Sequence, residues 1–297
     1  MIKRTLYFGQ PAYLSVQKSQ LFIRYPDKAI TRTVPIEDIG IVMLDHYRLT
    51  LTTALLNRLL ANNTAVICCN ASHLPLGMFL NLDGHSQQLI HWEAQIQARP
   101  GLKKRLWKQL MQAKIGNQAR LLALQGENPL PLERWAKEVT NGDRENKEAR
   151  AAAYYWPRLL GKYFPNFKRE RFGDFPNPLF NFGYTLLRGV VARALVASGL
   201  LPTLGIHHHN KYNAYCLADD LMEPYRPFVD EVVLKLVDVG VEELNPQSKP
   251  ELLKIPQLDV CINQQISPLM LAVQQTTASL QQCFAGNKPR LKLPGFV

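Results

Sequence analysis

Between residues 205 and 227 the chain reads GIHHHNKYNAYCLADDLMEPYRP. His207, His208 and His209 are followed within one short span by Asp219, Asp220 and Glu223. Positions 219 and 223 are four apart and 220 and 223 three apart, so on a helix these carboxylates can share a face. Pro224 and Pro227 would bend or end that helix. An imidazole and carboxylates converging on one point can hold a divalent cation. The oxygen donors suit Mg²⁺ or Mn²⁺, and the histidine tilts the choice toward Mn²⁺. The competing reading is an exposed histidine turn beside a solvated acidic face. There is no HExxH and no paired CxxC spacing, which leaves zinc without a motif.

A second segment, NGDRENKEARAAAYYWPRLLG at 141–161, carries one further carboxylate of interest, Glu148. Asp143 reads as an N-cap, and the Ala-rich run after it is strongly helical. Glu148 would share a face with Ala152 and Tyr155, with room for a ligand or a phosphate. Alternatively it is a surface glutamate paired with Lys147, Arg144 or Arg150, an arrangement that carries little energy.

The elements that must position these residues divide the chain near residue 85. Before it, Leu6–Phe8, Tyr13–Val16, Leu21–Tyr25 and Ile39–Leu44 are short runs rich in aromatic and β-branched residues. Turn signals at Gly9-Gln10-Pro11, Lys18-Ser19-Gln20 and Pro26-Asp27 separate them. A helix at Thr52–Ala61 and strands at Ala65–Cys68 and Leu76–Leu80 follow. After Ser86 apolar residues recur at helical spacing, at Leu89, Trp92 and Ile96, then Leu106, Leu110 and Ala113, then along Ala119–Leu124 and Leu186–Leu200. The expected fold is α+β, a small β domain over 1–85 followed by a larger all-α catalytic domain over 86–297. The apolar stretch at 178–200 carries Asn181, Arg188 and Arg193, too polar for a membrane span and suited to a buried helix. Asn181, Tyr184 and Arg188 make a polar stripe on it, which either lines the cleft or joins a buried hydrogen-bonded network.

The 297 residues carry a formal net charge of +11, which points to a polyanionic partner. Lys103, Lys104, Arg105, Lys108, Lys114 and Arg120 occur without an intervening acid and read either as a DNA backbone contact or as a solvated helix face. Lys162, Lys168, Arg169 and Arg171 interleave with Tyr163, Phe164, Phe167 and Phe172, a pattern able to hold phosphates and stack bases, although at least two of the aromatics belong to the core. Lys288, Arg290 and Lys292 read as a mobile basic tail. Five cysteines without framework spacing and the lack of a secretory apolar region point to reduced thiols in the cytoplasm. No Gly-rich phosphate loop or nucleotide cofactor motif occurs.

The chain resembles the CRISPR-associated integrase/endonuclease of spacer acquisition, the "Cas one" family, in its type II-like form. The resemblance rests on Asn146-Lys147-Glu148 with Ala151, Ala152, Tyr155 and Trp156, on Leu204-Gly205-Ile206 before His208, and on Leu217–Pro227. The amino-terminal MIKRTLYFGQPAYLSVQ and TVPIEDIGIVMLDH at 33–46 add to it. It implies that Glu148, His208 and Glu223 are the metal ligands and catalytic centre, with Asp220 as the competitor for the third place. It further implies Mg²⁺ or Mn²⁺, a transesterification in which the 3′-hydroxyl of donor spacer DNA attacks a CRISPR repeat, and nicking when water attacks instead. Tyr154 or Tyr155 would position the hydroxyl. The implied partners are double-stranded DNA, a second copy of the chain through the amino-terminal domain, a small ferredoxin-like Cas protein bridging two dimers, and the type II effector nuclease, with no membrane. The alternatives are a nuclease cutting branched DNA in repair, a scaffold that has lost its metal, and a mobile-element integrase. Against the last stands the expectation that such integrases carry an added DNA-binding module after the core.

Overall fold

The computed structural model describes residues 3–26, 31–71, 73–287 and 290–297. Asp27 of one turn signal and Lys288 of the tail cluster lie outside them. The chain forms two compact units, 1–86 and 87–297.

In the first unit, β1 (Arg4–Phe8), β2 (Ala12–Gln17), β3 (Gln20–Arg24), β4 (Thr31–Pro35), β5 (Ile39–Leu44), β6 (Leu49–Leu51), α1 (Thr53–Ala61), β7 (Ala65–Cys69) and β8 (Pro75–Phe79) follow in order. They build two four-stranded sheets, β1-β5-β7-β8 and β4-β3-β2-β6. The β2–β3 hairpin turns at Lys18 and Ser19, both at positive φ, a geometry that matches the strands' right-handed twist. Alternation places Leu14, Leu21 and Ile23 in the core, joined by Ile39 and Val42 of β5 and Val66 of β7. Thr52 caps α1 by accepting from the Leu55 N–H, and Leu55 and Leu59, four apart, bury that helix's apolar stripe. Each such fully buried side chain stabilises the unit by roughly 1.5–3 kcal/mol. Strands β4 and β6 were absent from the periodicity reading. Both are short, and β4 (TRTVP) has only one fully buried apolar residue, Val34.

The second unit contains α2 (Gln88–Ile96), α3 (Pro100–Leu124), α4 (Leu130–Glu138), α5 (Lys147–Leu160), α6 (Asn177–Ala197), α7 (Cys216–Met222), α8 (Arg226–Asp238), α9 (Lys249–Leu252), β9 (Asp259–Ile262), β10 (Gln265–Pro268), α10 (Leu269–Phe284) and β11 (Pro294–Gly295). Helix α6 is long and apolar enough by composition to cross a membrane, yet most of it is buried inside the unit. The unit is helical as expected, with one small sheet that the all-α reading did not include. β9, β10 and β11 form a three-stranded antiparallel sheet, with Asn263 and Gln264 at positive φ in the β9–β10 turn. Four-residue strands are too short to show a period against their helical surroundings.

The tail differs from its reading as a mobile segment. Leu291 N–H donates to Gln109 Oε1, Lys292 N–H to Ser279 Oγ, and Phe296 stacks on Phe228 at 4.3 Å. Residues 290–297 are therefore docked across α3, α8 and α10.

Candidate metal centre

One face of α3 organises the site. Trp107, Lys114 and Asn117 are seven and three residues apart, so they stack along one side of the helix, and all three are buried. Lys114 Nζ lies 2.5 Å from Glu148 Oε1 and 2.6 Å from Glu223 Oε2. Two carboxylates from elements 75 positions apart in sequence thus meet at one point. Asn117 Nδ2 donates to the Pro224 carbonyl at 2.8 Å and to the Pro294 carbonyl at 3.1 Å, tying the segment after Glu223 and the tail to the same helix.

Glu148 stands in the first turn of α5, where the helix dipole favours a carboxylate. Asn146 is the cap, accepting from Ala149 N–H, rather than Asp143. Asp143 instead accepts from the N–H groups of Lys147 and Glu148, at 2.9 Å each, and so fixes the backbone at Glu148 itself. Glu223 opens a single 3₁₀ turn, Glu223–Tyr225, forced by Pro224 between α7 and α8. Its carboxylate is also 3.0 Å from Arg226 Nε. Burial pushes the Glu223 carboxyl up, but the charges of Arg226 and Lys114 outweigh it and hold the group below its ordinary range. Burial likewise works against the Lys114 ammonium, and the charges of Glu223 and Glu148 more than reverse it.

The histidine loop is held by Asp220, which is fully buried at the start of the turn preceding Glu223. Its Oδ2 accepts from Ile206 N–H at 2.5 Å and His207 N–H at 2.9 Å. Its Oδ1 accepts from His208 N–H at 3.2 Å and lies 2.6 Å from His208 Nδ1. The Asp220 hydrogen bond raises the His208 pKa above its ordinary value, against the opposing effect of burial. Turning Nδ1 to a carboxylate leaves Nε2 as the donor nitrogen, the usual arrangement behind a metal-bound imidazole. Gly205 permits the close approach: a Cβ there would lie 2.2 Å from the His208 carbonyl and 3.0 Å from Asp220 Oδ2. Trp107 completes the support, stacked on His207 at 4.1 Å and edge-on to His208 at 5.8 Å.

Behind Glu223 lies a buried polar network. Asp230 accepts from Tyr155 Oη at 2.8 Å and from Tyr184 Oη. Arg226 and Arg169 sit over the Tyr184 ring at 4.6 and 5.1 Å. Burial pushes the Asp230 carboxyl up to about 6, although both tyrosines and both arginines favour its ionised form.

The structure brings Glu148 and Glu223 together on Lys114, and His208 lies within electrostatic reach of Glu223. Among the described residues no group of three or more His, Cys, Asp or Glu side chains is drawn close enough to hold a metal ion. The three carboxylates read as sharing one face take three different partners: Asp219 binds Arg188, Asp220 the histidine loop, and Glu223 Lys114 and Arg226. Tyr155 is buried and donates to Asp230, and Tyr154 donates to the Asn128 carbonyl, so the proton of each phenol is already taken. Of the polar stripe, Tyr184 joins the Asp230 network, Arg188 pairs with Asp219, and Asn181 binds Arg169. Lys114 is not on the basic surface where the charge run placed it. Lys104, Arg105 and Arg120 are exposed, while Lys114 turns inward. Of the second cluster, Arg169 is committed to Asn177, Asn181 and the Glu170 carbonyl, whereas Lys168, Arg171 and Phe172 are exposed. Sequence reasoning missed Lys114, Trp107 and Arg226 as parts of the site. The heptad spacing of Trp107 and Lys114 was the available signal.

Residues 6–245 match the family model described as CRISPR associated protein Cas1. The chain belongs to the Cas1 family. It is 33% identical to the CRISPR-associated endonuclease Cas1 of Neisseria meningitidis serogroup C (strain 8013), over 99% of this chain and 96% of that one. It is 28% identical to a CRISPR-associated endonuclease Cas1 of Pyrobaculum aerophilum over 70% of this chain and 74% of the other. In fold it is similar to a casposase bound to integration product, with a TM-score of 0.80, 19% identity, and coverage of 98% of this chain and 92% of that one. A CAS1 protein from Thermotoga maritima gives a TM-score of 0.77 at 17% identity, covering 96% and 98% of the two chains. The mixed α and β fold of this chain is thus that of Cas1 proteins and the casposase.

By the chemistry of their donors, rather than by their present spacing, the residues of the site would suit a divalent cation. Glu148 and Glu223 already enclose one positive charge, and Glu223 Oε2 is buried with no well-angled hydrogen bond despite its ion pair with Lys114. Two carboxylates with one imidazole whose Nδ1 is held by Asp220 is a donor set for Mg²⁺ or Mn²⁺.

Proposed function

We propose that this Cas1 protein is a metal-dependent DNA integrase and endonuclease that inserts spacer DNA into a CRISPR array. The observation that carries the reading is the meeting of Glu148 and Glu223 at one point, with the His208 loop clamped beside them by Asp220. Glu148, His208 and Glu223 would hold the cation. When bound, it would activate a 3′-hydroxyl or water and offset charge on the scissile phosphate.

The chain's own residues do the remaining work. Asp220 and Trp107 keep the His208 imidazole oriented. Arg226 anchors Glu223, so that one ligand is rigid before substrate arrives. Exposed Lys104, Arg105 and Arg120 on α3 and Lys168 and Arg171 beyond α5 offer phosphate contacts, making DNA binding salt-dependent. The amino-terminal unit is assigned to dimerisation, and a small ferredoxin-like Cas protein to bridging two dimers. Solved structures of similar fold include a Cas6-RT-Cas1–Cas2 complex, which supports a partner of that class. Five cysteines without framework spacing suit a cytoplasmic setting.

A joining assay tests the proposal. A labelled duplex with free 3′-OH ends is incubated with a supercoiled plasmid carrying leader and repeat, with Mn²⁺ or Mg²⁺ and the bridging partner. Label transfer that is lost with EDTA and in Glu148→Ala, His208→Ala and Glu223→Ala, with DNA binding retained, is the expected result. Joining retained in any one variant removes that residue from the centre. Metal-dependent nicking with no label transfer in the complete mixture would favour a nuclease of branched DNA.

A further inference from the structure

We propose that the Lys114 ammonium holds the cation's place in the metal-free protein, so that a divalent ion enters the centre only by displacing it. The inference rests on reading Glu148, His208 and Glu223 as the ligand set, and adds a competitor built into the chain.

Three observations carry it. First, Lys114 is buried on a helix face it shares with Trp107 and Asn117, and its ammonium touches one oxygen of each carboxylate, at 2.5 and 2.6 Å. Placing an ammonium there is costly unless opposite charge surrounds it, and placing two carboxylates there is costly unless a cation lies between them. The lysine meets both demands with no ion bound. Second, the two carboxylates are held unequally. Glu223 is fixed by Arg226 and its side chain is 5% exposed, whereas the Glu148 side chain is 32% exposed. The centre is therefore open on the Glu148 side, where a flexible four-carbon stem can withdraw its head. Third, Glu223 Oε2 lacks a well-angled hydrogen bond, so the lysine neutralises this oxygen without saturating it. A tethered single charge is hard for a monovalent ion to displace, while a divalent ion gains more from the same two oxygens. The arrangement thus keeps the ligands gathered and discriminates by charge.

The test titrates Mn²⁺ into the metal-free full-length chain by calorimetry, for the wild type, Lys114→Met, Lys114→Gln and Glu148→Gln. Removing a charge-assisted competitor should tighten Mn²⁺ binding about ten-fold or more in both Lys114 variants, while Glu148→Gln weakens or abolishes it. Binding in the Lys114 variants equal to or weaker than wild type, with Glu148→Gln still impaired, overturns the displacement idea and leaves the metal reading intact. Absence of binding in every protein overturns both. Binding seen only in the Lys114 variants supports the proposal. Circular dichroism checks folding without metal. Should both Lys114 variants be unfolded, refolding on adding Mn²⁺ supports the inference, and failure to refold overturns it.

Discussion

Asp220→Ala should be among the most damaging single changes in the larger unit, although Asp220 touches no substrate in the proposed reaction. The carboxylate is fully buried and takes four contacts from the 206–208 loop, three of them backbone N–H groups. Truncation leaves the buried Ile206 N–H without its 2.5 Å partner and the His208 ring without its 2.6 Å one. Water can reach the N–H groups of the exposed His207 and His208, so those contacts are partly recovered. Counting only the two that are not, at about 1.5–3 kcal/mol for each charge-assisted bond, the loss is about 3–6 kcal/mol. For a unit of this size that lowers the melting midpoint by roughly 6–24 °C. Thermal unfolding followed by circular dichroism reads it directly. Asp220→Asn separates charge from shape, because it conserves volume but turns an NH₂ toward groups that are already donors, and it should recover little. A loss below about 0.5 kcal/mol for Asp220→Ala, the scatter of ordinary surface changes, would refute the clamp. So would an Asp220→Asn protein as stable as wild type.

Two further outcomes follow from the network and the tail. Burial raises Asp230 from its ordinary value to about 6, so the folded state binds this proton more tightly than the unfolded chain. Its contribution therefore falls as pH rises from roughly 4 to 6, by about 3 kcal/mol at most, and stays low above that. Asp230→Asn should flatten this segment of the stability–pH profile, and an unchanged slope in urea melts would exclude Asp230 as its source. Removing residues 290–297 takes away the Asn117–Pro294 hydrogen bond, the Lys292–Ser279 hydrogen bond and the Phe296–Phe228 stack. About 3 kcal/mol or more should be lost, together with the brace behind Pro224. An unchanged denaturation midpoint would show that the tail adds nothing.

The succession of amino-terminal strands and later helices was legible because period-2 alternation and 3.6-residue recurrence are local signals. Helix α1, the buried character of α6, and the break that Pro224 imposes after Met222 were readable for the same reason. Strands β9 to β11 were not, since they are only two to four residues long.

For the centre, residue type and spacing alone marked the segments around Glu148, the histidine run and Glu223, because metal-binding donors are chemically distinct and lay in compact motifs. Partner choice could not be read from the same information. Asp219, Asp220 and Glu223 are close in sequence and alike in chemistry, yet they face Arg188, the 206–208 loop and Lys114. Lys114 belonged by sequence to a basic run, and Tyr155 was an attractive donor beside Glu148. What assigned them is the packing of α3 against α5 and the 223–225 turn, and of α5 against Asp230 on α8. Helical period states which side chains share a face. Only the helices packed against that face decide whether a charge there meets water, an opposite charge or a buried hydroxyl, and desolvation makes that difference worth several kcal/mol.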